Sequence, residues 1–213
     1  MLNFKPFLLM LLIALMSGCS TLSTPIPAQQ PSTLSQLQRT ALLKKITHWQ
    51  INGKIAFITP ATKTEPVRKQ SASLFWQVDE QNHQQQLNLT TFLGINVFSL
   101  KSEHGMHQIK VDGKTYQSHN LHTLIYGLSH YALPTNALGY WLKGLKLHAS
   151  DQLQLDPTSQ LPTQLISVTN GQVWHINYAD YRLVNQLPLA HKLTISTTKL
   201  TIKLHIKQWL ITP

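Results

Sequence analysis

The feature of this sequence that most restricts its fold is an alternation of apolar and polar residues with a period of two. The alternation is clearest near the C-terminus, where the apolar positions are Leu200, Ile202, Leu204 and Ile206. Successive side chains of a strand point to opposite faces of a sheet, so this pattern predicts strands with one apolar face and one wet face. Weaker versions of the pattern begin near residues 50, 72, 87, 109, 153, 165 and 173. We therefore expect a mainly β fold built as an antiparallel meander.

Turns and helices complete the expected architecture. Asp112-Gly113 and Asn170-Gly171 are strong hairpin signals. Helical spacing of apolar residues predicts three helices. The first runs from about residue 33 to 47, with Ser32 or Thr33 as N-cap. The second covers residues 121–128 behind Asn120, and the third covers residues 138–145 behind Asn136 and Pro134. A sheet of this size must curl, and its dry face needs a cover. We predict an incomplete, half-open antiparallel β-barrel of about ten to eleven strands, covered by the three helices.

The N-terminus predicts export and a lipid anchor. Lys5 precedes an apolar run over residues 7–16, which fits the apolar region of a secretory signal. The run is too short to span a hydrocarbon core of roughly 30 Å. Cys19 follows Ser17 and Gly18 and is the only cysteine, so it cannot form an internal disulfide. The stretch 16–19 resembles the lipobox of bacterial lipoproteins, in which the signal is cut before a cysteine that becomes lipidated. An ordinary signal with an unrelated cysteine is the alternative.

These assignments divide the chain into three segments. Residues 1–18 are predicted to be a lipoprotein signal peptide, and residues 19–32 a lipidated N-terminus with a flexible tether rich in Pro, Ser and Thr. Residues 33–213 are predicted to form a single domain, which is long enough to fold without a disulfide or a metal. By resemblance to the sorting rule of enteric-type bacteria, Ser20 rather than aspartate after the cysteine favours the outer membrane.

The charged and reactive residues argue against an enzyme. The chain has eight carboxylates, and the sequence contains no G-x-S-x-G, Gly-rich phosphate loop or H-E-x-x-H motif. The pairs His104/His107 and His119/His122 lack a nearby cysteine or converging carboxylate, so we predict no metal site. No cofactor is expected apart from the covalent lipid on Cys19. The net charge of +10 favours anionic partners. Because the lysines are scattered and an exported protein rarely meets nucleic acid, we read most of this charge as a solvated face.

An apolar wall is the more informative feature. An incomplete barrel has more apolar surface on its concave face than three short helices can fill, which leaves room for an apolar ligand. The side chains predicted to line that cavity are Phe57, Leu74, Trp76, Leu89, Phe98, Leu124, Trp141, Leu142 and Ile195. The assignment depends on strand register, since a shift of one residue moves every side chain to the other face.

Several stretches, taken in order, match a known family. They are the lipobox, residues 49–57 and 74–76, Leu93-Gly94, residues 133–144 and 170–174, and the C-terminal stretch that ends at Trp209. Together they resemble the LolB family, outer-membrane lipoproteins that receive other lipoproteins from the periplasmic carrier LolA and place them in the membrane. A departure from the family is that relatives often carry an arginine in the first strand, where this chain has Asn52 and Lys54.

The resemblance implies a fold, a site and partners. It implies an eleven-stranded half-barrel with three helices, a cavity for acyl chains and a protruding membrane-transfer loop, which by position comprises Phe92, Leu93, Gly94 and Ile95. An apolar residue tucked under a hairpin is the alternative for Leu93. The implied partners of a monomer on the periplasmic face of the outer membrane are LolA, client lipoproteins and outer-membrane phospholipid. Two other functions stay open: a structural lipoprotein whose concave sheet binds a protein or envelope polymer, and an envelope hydrolase.

Overall fold

The computed structural model describes residues 34–212, which form one antiparallel sheet and three helices. The predicted signal peptide, Cys19 and the predicted tether lie outside the described residues. The strands are β1 (His48–Thr59), β2 (Arg68–Asp79), β3 (Gln84–Thr90), β4 (Asn96–Glu103), β5 (Met106–Val111), β6 (Lys114–Ser118), β7 (Gln152–Leu155), β8 (Pro162–Thr169), β9 (Gln172–Val184), β10 (Leu187–Ser196) and β11 (Thr201–Thr212). The helices are α1 (Gln36–Lys45), α2 (Leu121–Ser129) and α3 (Thr135–Leu142).

The sheet consists of two meanders joined at its centre. The strand order is β6-β5-β4-β3-β2-β1-β11-β10-β9-β8-β7, so the first and last strands pair with each other. The edge strands β6 and β7 are the ones that flank α2 and α3 in sequence, and they do not pair. The eleven-stranded sheet is therefore open, which confirms the predicted half-open barrel.

Two-residue turns connect four pairs of neighbouring strands. The predicted turns at Asp112-Gly113 and Asn170-Gly171 are confirmed, and both residues of each turn have positive φ angles. The pairs His104-Gly105 and Asn185-Gln186 form turns of the same kind, although the sequence did not predict them. The turn at Asn185-Gln186 extends β9 and β10 beyond the short strands that the alternation indicated.

The pairing of β1 with β11 contains an irregularity that requires glycine. The register shifts between Asn52 and Gly53, where β11 skips a residue between Gln208 and Ile206. A Cβ atom added at Gly53 would overlap the carbonyl oxygen of His205. The absence of a side chain at Gly53 therefore allows the two meanders to approach each other.

The helices are confirmed, with two corrections to their ends. Helix α1 begins after Ser35, which forms a capping box with Gln38, so the predicted start near residue 33 is wrong. Helix α2 has the predicted N-cap, because the Asn120 side chain accepts a hydrogen bond from the Thr123 amide. Helix α3 begins after Pro134, and Asn136 lies inside the helix rather than capping it.

The buried face of α1 differs from the predicted one. Leu37 and Leu42 lie at the helical spacing of apolar residues from which this helix is predicted, yet both are exposed. Leu43 and Arg39 are the residues that α1 buries. The guanidinium of Arg39 donates hydrogen bonds to the carbonyl oxygens of Pro188 and Lys143. Tertiary hydrogen bonds at this site therefore outweigh the apolar spacing in the sequence.

Candidate functional site

The inner face of the sheet is sealed over β1, β2 and β8–β11, which with α1 and α3 form what we call the sealed region. Its inward side chains pack with the two helices into one apolar core. The aromatic rings of Trp141 in α3 and Trp174 in β9 lie 5.8 Å apart. Fully buried strand residues of this core include Ile51, Leu165, Ile176, Ile195 and Ile206. Most inward side chains of this region are thus buried, and Phe57 on β1 is a half-buried exception.

The inner face of β3–β6 is less completely covered, and with α2 it forms the open region. Its inward side chains lie in three cross-strand rows. The rows are Leu89-Phe98-Val111, Leu87-Leu100-Ile109-Tyr116 and Gln85-Ser102-His107-Ser118. Only Leu100 and Ile109 among the apolar members are buried, and the rest are half-buried. Helix α2 contacts β6 but contains no buried residue.

Polarity changes along this inner face. The row that contains Ser102 and His107 is polar, and the Nδ1 atom of His107 lies 2.7 Å from the hydroxyl oxygen of Ser102. The row that contains Leu89 and Phe98 is apolar and lies at the other end of the strands, next to the connection between β3 and β4. The apolar part of the open region therefore continues directly into the loop over residues 91–95.

Loop 91–95 displays apolar side chains on an ordered backbone. The Thr91 amide donates to the Ile95 carbonyl oxygen at 2.8 Å, and the Gly94 amide donates to the Thr91 carbonyl oxygen at 3.0 Å. The Thr91 hydroxyl oxygen accepts from the Ile95 amide. The exposed fractions are 93% for Phe92, 70% for Leu93 and 60% for Ile95. An apolar side chain tucked beneath the turn, the alternative for Leu93, does not describe this loop.

Of the nine side chains predicted to line the cavity, six lie on strands and three lie on helices. Phe57, Leu74, Trp76, Leu89, Phe98 and Ile195 all lie on the inner face of the sheet. Leu74 lies opposite Leu89, which lies opposite Phe98, so these three form one cross-strand row. Leu124 is half-buried on α2. Trp141, Leu142 and Ile195 are at most 1% exposed, and Leu74 and Trp76 are also buried. All five belong to the sealed core, so they would reach a ligand only if that core opened.

A charged cluster that the sequence did not reveal holds the helices of the sealed region in place. The Lys143 ammonium, at the end of α3, donates to Glu80 Oε1 at 2.8 Å and to the Ile46 carbonyl oxygen at 3.1 Å. The same Glu80 oxygen accepts from Trp49 Nε1 at 3.0 Å. Lys143 is buried, as is Arg39, and burial lowers the pKa of Arg39 from its ordinary value. Arg39 remains charged because that value is very high.

The outer face of the sheet carries a groove of different chemistry. The groove has a volume of about 390 Å³ and is formed by β1–β4 and β11. Five of its fourteen lining residues are glutamines, and its charged residues are paired, His48 with Asp79 and Lys101 with Glu103. Such a lining suits a neutral polar ligand and does not suit an acyl chain.

Residues 34–212 contain neither of two further classes of site. No group of three or more His, Cys, Asp or Glu residues in this range is placed to hold a metal ion. None of the three helices described is both long and apolar enough to cross a membrane. The fold and site thus define a half-open β-barrel with an apolar inner wall, partly covered by helices.

Comparison with known proteins identifies the family. A sequence model of the outer membrane lipoprotein LolB family matches residues 47–209. The chain is 34% identical to the outer-membrane lipoprotein LolB of Aeromonas hydrophila over 94% of this chain and 93% of that protein. It is 33% identical to the outer-membrane lipoprotein LolB of Psychromonas ingrahamii over 98% of this chain and 96% of that protein. The chain therefore belongs to the LolB family of outer-membrane lipoproteins.

A solved structure supports the fold alone. A DUF1329 family protein from Desulfovibrio piger aligns with a TM-score of 0.53 at 5% sequence identity, over 81% of this chain and 89% of that one. The family resemblance, the half-barrel fold and the outer-membrane location inferred from the sequence are confirmed.

Proposed function

We propose that this outer-membrane lipoprotein accepts the acyl chains of client lipoproteins from the carrier LolA and inserts the clients into the outer membrane. The observation that carries the proposal is the continuity between a half-covered apolar wall and an exposed apolar loop. Leu89 and Phe98 belong to the wall, and Phe92 and Leu93 follow in the loop that joins their strands. One connected apolar surface thus leads from a covered site to solvent.

The energetics of transfer favour such an arrangement. An acyl chain gains about 0.8 kcal/mol for each CH₂ group that leaves water, so the chains of a lipoprotein do not cross an aqueous space unprotected. A receptor must hold them better than the carrier and less well than the bilayer. A wall that is only partly covered meets this requirement, because α2 buries no residue and its displacement loses little buried surface. Transfer can then run downhill without a nucleotide.

The proposed anchor explains how the domain stays at the membrane. With a lipid on Cys19, a tether over residues 19–32 would reach at most about 50 Å from the bilayer. We expect Cys19→Ser to leave an unprocessed or soluble protein whose domain melts at the wild-type temperature, because the apolar core described lies within residues 34–212. The measurements are membrane fractionation, labelling with a radioactive fatty acid and thermal unfolding. Recovery of a lipid-labelled variant in membranes at the wild-type level would contradict the assignment.

Leu93→Glu tests the delivery loop. Leu93 is largely exposed, so its removal should not change stability. A leucine moved from water into an apolar place gains about 1.5–3 kcal/mol, and a carboxylate in its place must be desolvated. We expect normal melting, normal uptake of a lipoprotein from the carrier and at least about tenfold slower insertion into liposomes.

The matched control for this experiment is Leu183→Glu. Leu183 is an exposed leucine on β9, away from the loop, and its substitution should leave all three measurements unchanged. Lost stability in Leu93→Glu would place Leu93 in the core, and lost uptake would place it in the carrier interface. Unchanged insertion would contradict the proposed role of the loop.

The other two functions receive less support from the described residues. A polymer-binding concave face would need a polar lining, whereas two of the three rows on the inner face of β3–β6 are apolar. A hydrolase would need a convergent acid and base. Glu80 instead binds Lys143, and Asp151 binds the backbone amides of Leu147 and His148. The His48–Asp79 pair lies in the outer groove rather than at the apolar wall.

A further inference from the structure

Exposed cations flank loop 91–95 at the end of the strands from which the loop projects. Because the strands are antiparallel, the β1–β2 connection and the β5–β6 turn lie at the same end of the strands as the β3–β4 loop. The sheet order places one of these connections on each side of the loop. We call their exposed cations the basic rim, which consists of Lys63, Arg68, Lys69, Lys110 and Lys114.

Few carboxylates offset these charges. Glu65 and Asp112 are the acidic residues in the same two connections. Glu65 pairs with Arg68 at 3.2 Å, where both side chains are solvent-exposed, so the pair is weak. The remaining four cations make no ion pair within the described residues. Like charges held together without partners raise the energy of the free protein and favour an anionic ligand.

The cations at the opposite end of the same strands are largely paired. The β2–β3 and β4–β5 turns carry Asp79, Glu80 and Glu103 at or beside the strand ends. Lys101 is bound to Glu103, and the buried Lys143 is bound to Glu80. The last two residues of α1 are exposed lysines that precede β1 at this end. Within β1–β6 and their connections, the cations without an ion pair are therefore concentrated at the end that carries loop 91–95.

We infer that the basic rim binds the anionic phospholipid headgroups of the membrane and so turns loop 91–95 toward the bilayer, an inference that rests on the proposed function. Phe92 and Leu93 would enter the apolar zone while the long Lys and Arg side chains reach headgroups at the surface. Attraction to a charged surface fades within a Debye length of about 8 Å. The rim therefore acts when the loop is already near the membrane and sets the orientation of the domain.

The exposed apolar residues support a lipid surface over a protein partner. Val67 in the β1–β2 connection and Val97 at the start of β4 are exposed at this end of the strands, in addition to the loop residues. Apolar side chains interspersed with unpaired cations match a bilayer interface, which offers hydrocarbon and anionic groups at different depths. An acidic patch on the carrier would satisfy the cations but not the apolar tips.

The test compares the full lipidated chain with two double variants in vesicles. Lys69→Glu with Lys114→Glu reverses two rim charges. Lys203→Glu with Lys207→Glu makes the same charge change on exposed positions of β11. Each protein is anchored in vesicles of phosphatidylcholine alone or with phosphatidylglycerol as one lipid in three, at low and high salt. Uptake of a lipoprotein from the carrier, its insertion into the vesicle and the melting temperature are measured for each.

We expect phosphatidylglycerol to accelerate insertion by the wild type at low salt and to lose this effect at high salt. For each lysine replaced in the rim variant, the acceleration by phosphatidylglycerol should fall about fivefold or more. Uptake and melting of the rim variant should match the wild type, and the β11 variant should behave as wild type in all three measurements. Insertion that ignores lipid charge, or equal losses in both variants, would overturn the inference and leave the proposed function intact. Lost uptake in the rim variant would also overturn it, by making the rim a carrier interface. Absence of uptake by the wild type would overturn the proposed function instead.

Discussion

The sealed and open regions belong to one sheet with the same alternation of side chains, yet they differ in how well their inner faces are covered. In the sealed region α1 and α3 bury Leu43, Ala137 and Trp141 against the strands. In the open region α2 offers Leu121, Leu124, Ile125 and Leu128, and none of them is buried. The strands of both regions present apolar rows on their inner face, and the cover that the helices give to those rows differs.

This difference separates stability from binding. Buried apolar area is the largest stabilising contribution to a fold, so the sealed region contributes most of the stability. Segments with few buried contacts open at low cost in free energy, and α2 with β3–β6 fits that description. A protein that must take up and release acyl chains needs one region of each kind.

The largest expected difference between the regions is in the cost of removing a leucine. Leu193 lies in the sealed core at 2% exposure, and Leu193→Ala should lower the free energy of unfolding by about 3 kcal/mol. Leu124→Ala, on half-buried α2, should cost about 1 kcal/mol or less, because water already reaches the site. Urea unfolding of both variants checks the prediction. Equal losses would mean that the open region is as well packed as the sealed one.

Glu80 provides the second test, through the charge that it neutralises. Glu80→Ala leaves the buried ammonium of Lys143 with the Ile46 carbonyl oxygen but without a carboxylate. We expect a loss of about 2 kcal/mol in the free energy of unfolding, less than the roughly 3–5 kcal/mol for breaking a fully buried pair, because Glu80 is partly exposed. Glu103→Ala removes the exposed pair with Lys101 and should change the free energy of unfolding little. Chemical unfolding curves of the two variants decide between a structural cluster and an incidental contact.

Glycine substitutions form the third test. Gly53→Ala places a Cβ against the His205 carbonyl oxygen at the junction of the two meanders, so β1 or β11 must shift. Overpacking of this kind costs about 1–3 kcal/mol. Gly139→Ala lies within α3, where the new Cβ would meet Trp49 at 3.7 Å, an ordinary contact. That variant should gain up to about 1 kcal/mol. Thermal melting should move in opposite directions, and a neutral Gly53→Ala would show that the junction is not close-packed.

The smallest expected effect is a pH dependence from His191 of the sealed region. Burial lowers the pKa of His191 from its ordinary 6.5, despite its hydrogen bond to the Ile206 carbonyl oxygen and the nearby Asp180. The folded state keeps the ring neutral while the unfolded chain takes up a proton below pH 6.5, so stability falls as the pH drops below that value. His191→Asn should reduce this fall, whereas His83→Asn at an exposed turn should not. Denaturant midpoints at several pH values measure it, and an unchanged slope in His191→Asn would contradict the assignment.

Local chemistry explains what could be predicted from the sequence. Strand alternation, the turns at Asp112-Gly113 and Asn170-Gly171, and the Asn120 cap depend on neighbouring residues alone, and all are present. The inward side of the strands followed from the same alternation. The exposed loop was located by family resemblance, and its exposure followed from no local rule.

Long-range contacts explain what could not be predicted. Arg39 is buried because its acceptors, the Pro188 and Lys143 carbonyl oxygens, lie 149 and 104 residues away. Glu80 looked like an ordinary turn residue, and its partner Lys143 is 63 residues distant. The degree of cover over each half of the sheet depends on how three helices pack, which no periodicity in the chain encodes.

The central claim is that acyl chains bind in the open region, and hydrogen exchange tests it most directly. The Leu93→Glu variant, anchored in vesicles and loaded from the carrier, should hold a lipoprotein long enough for measurement against the empty protein. We predict slower amide exchange on loading in α2 and β3–β6, with no change in β8–β11. Protection centred on β8–β11, or no protection in either region, would contradict the account.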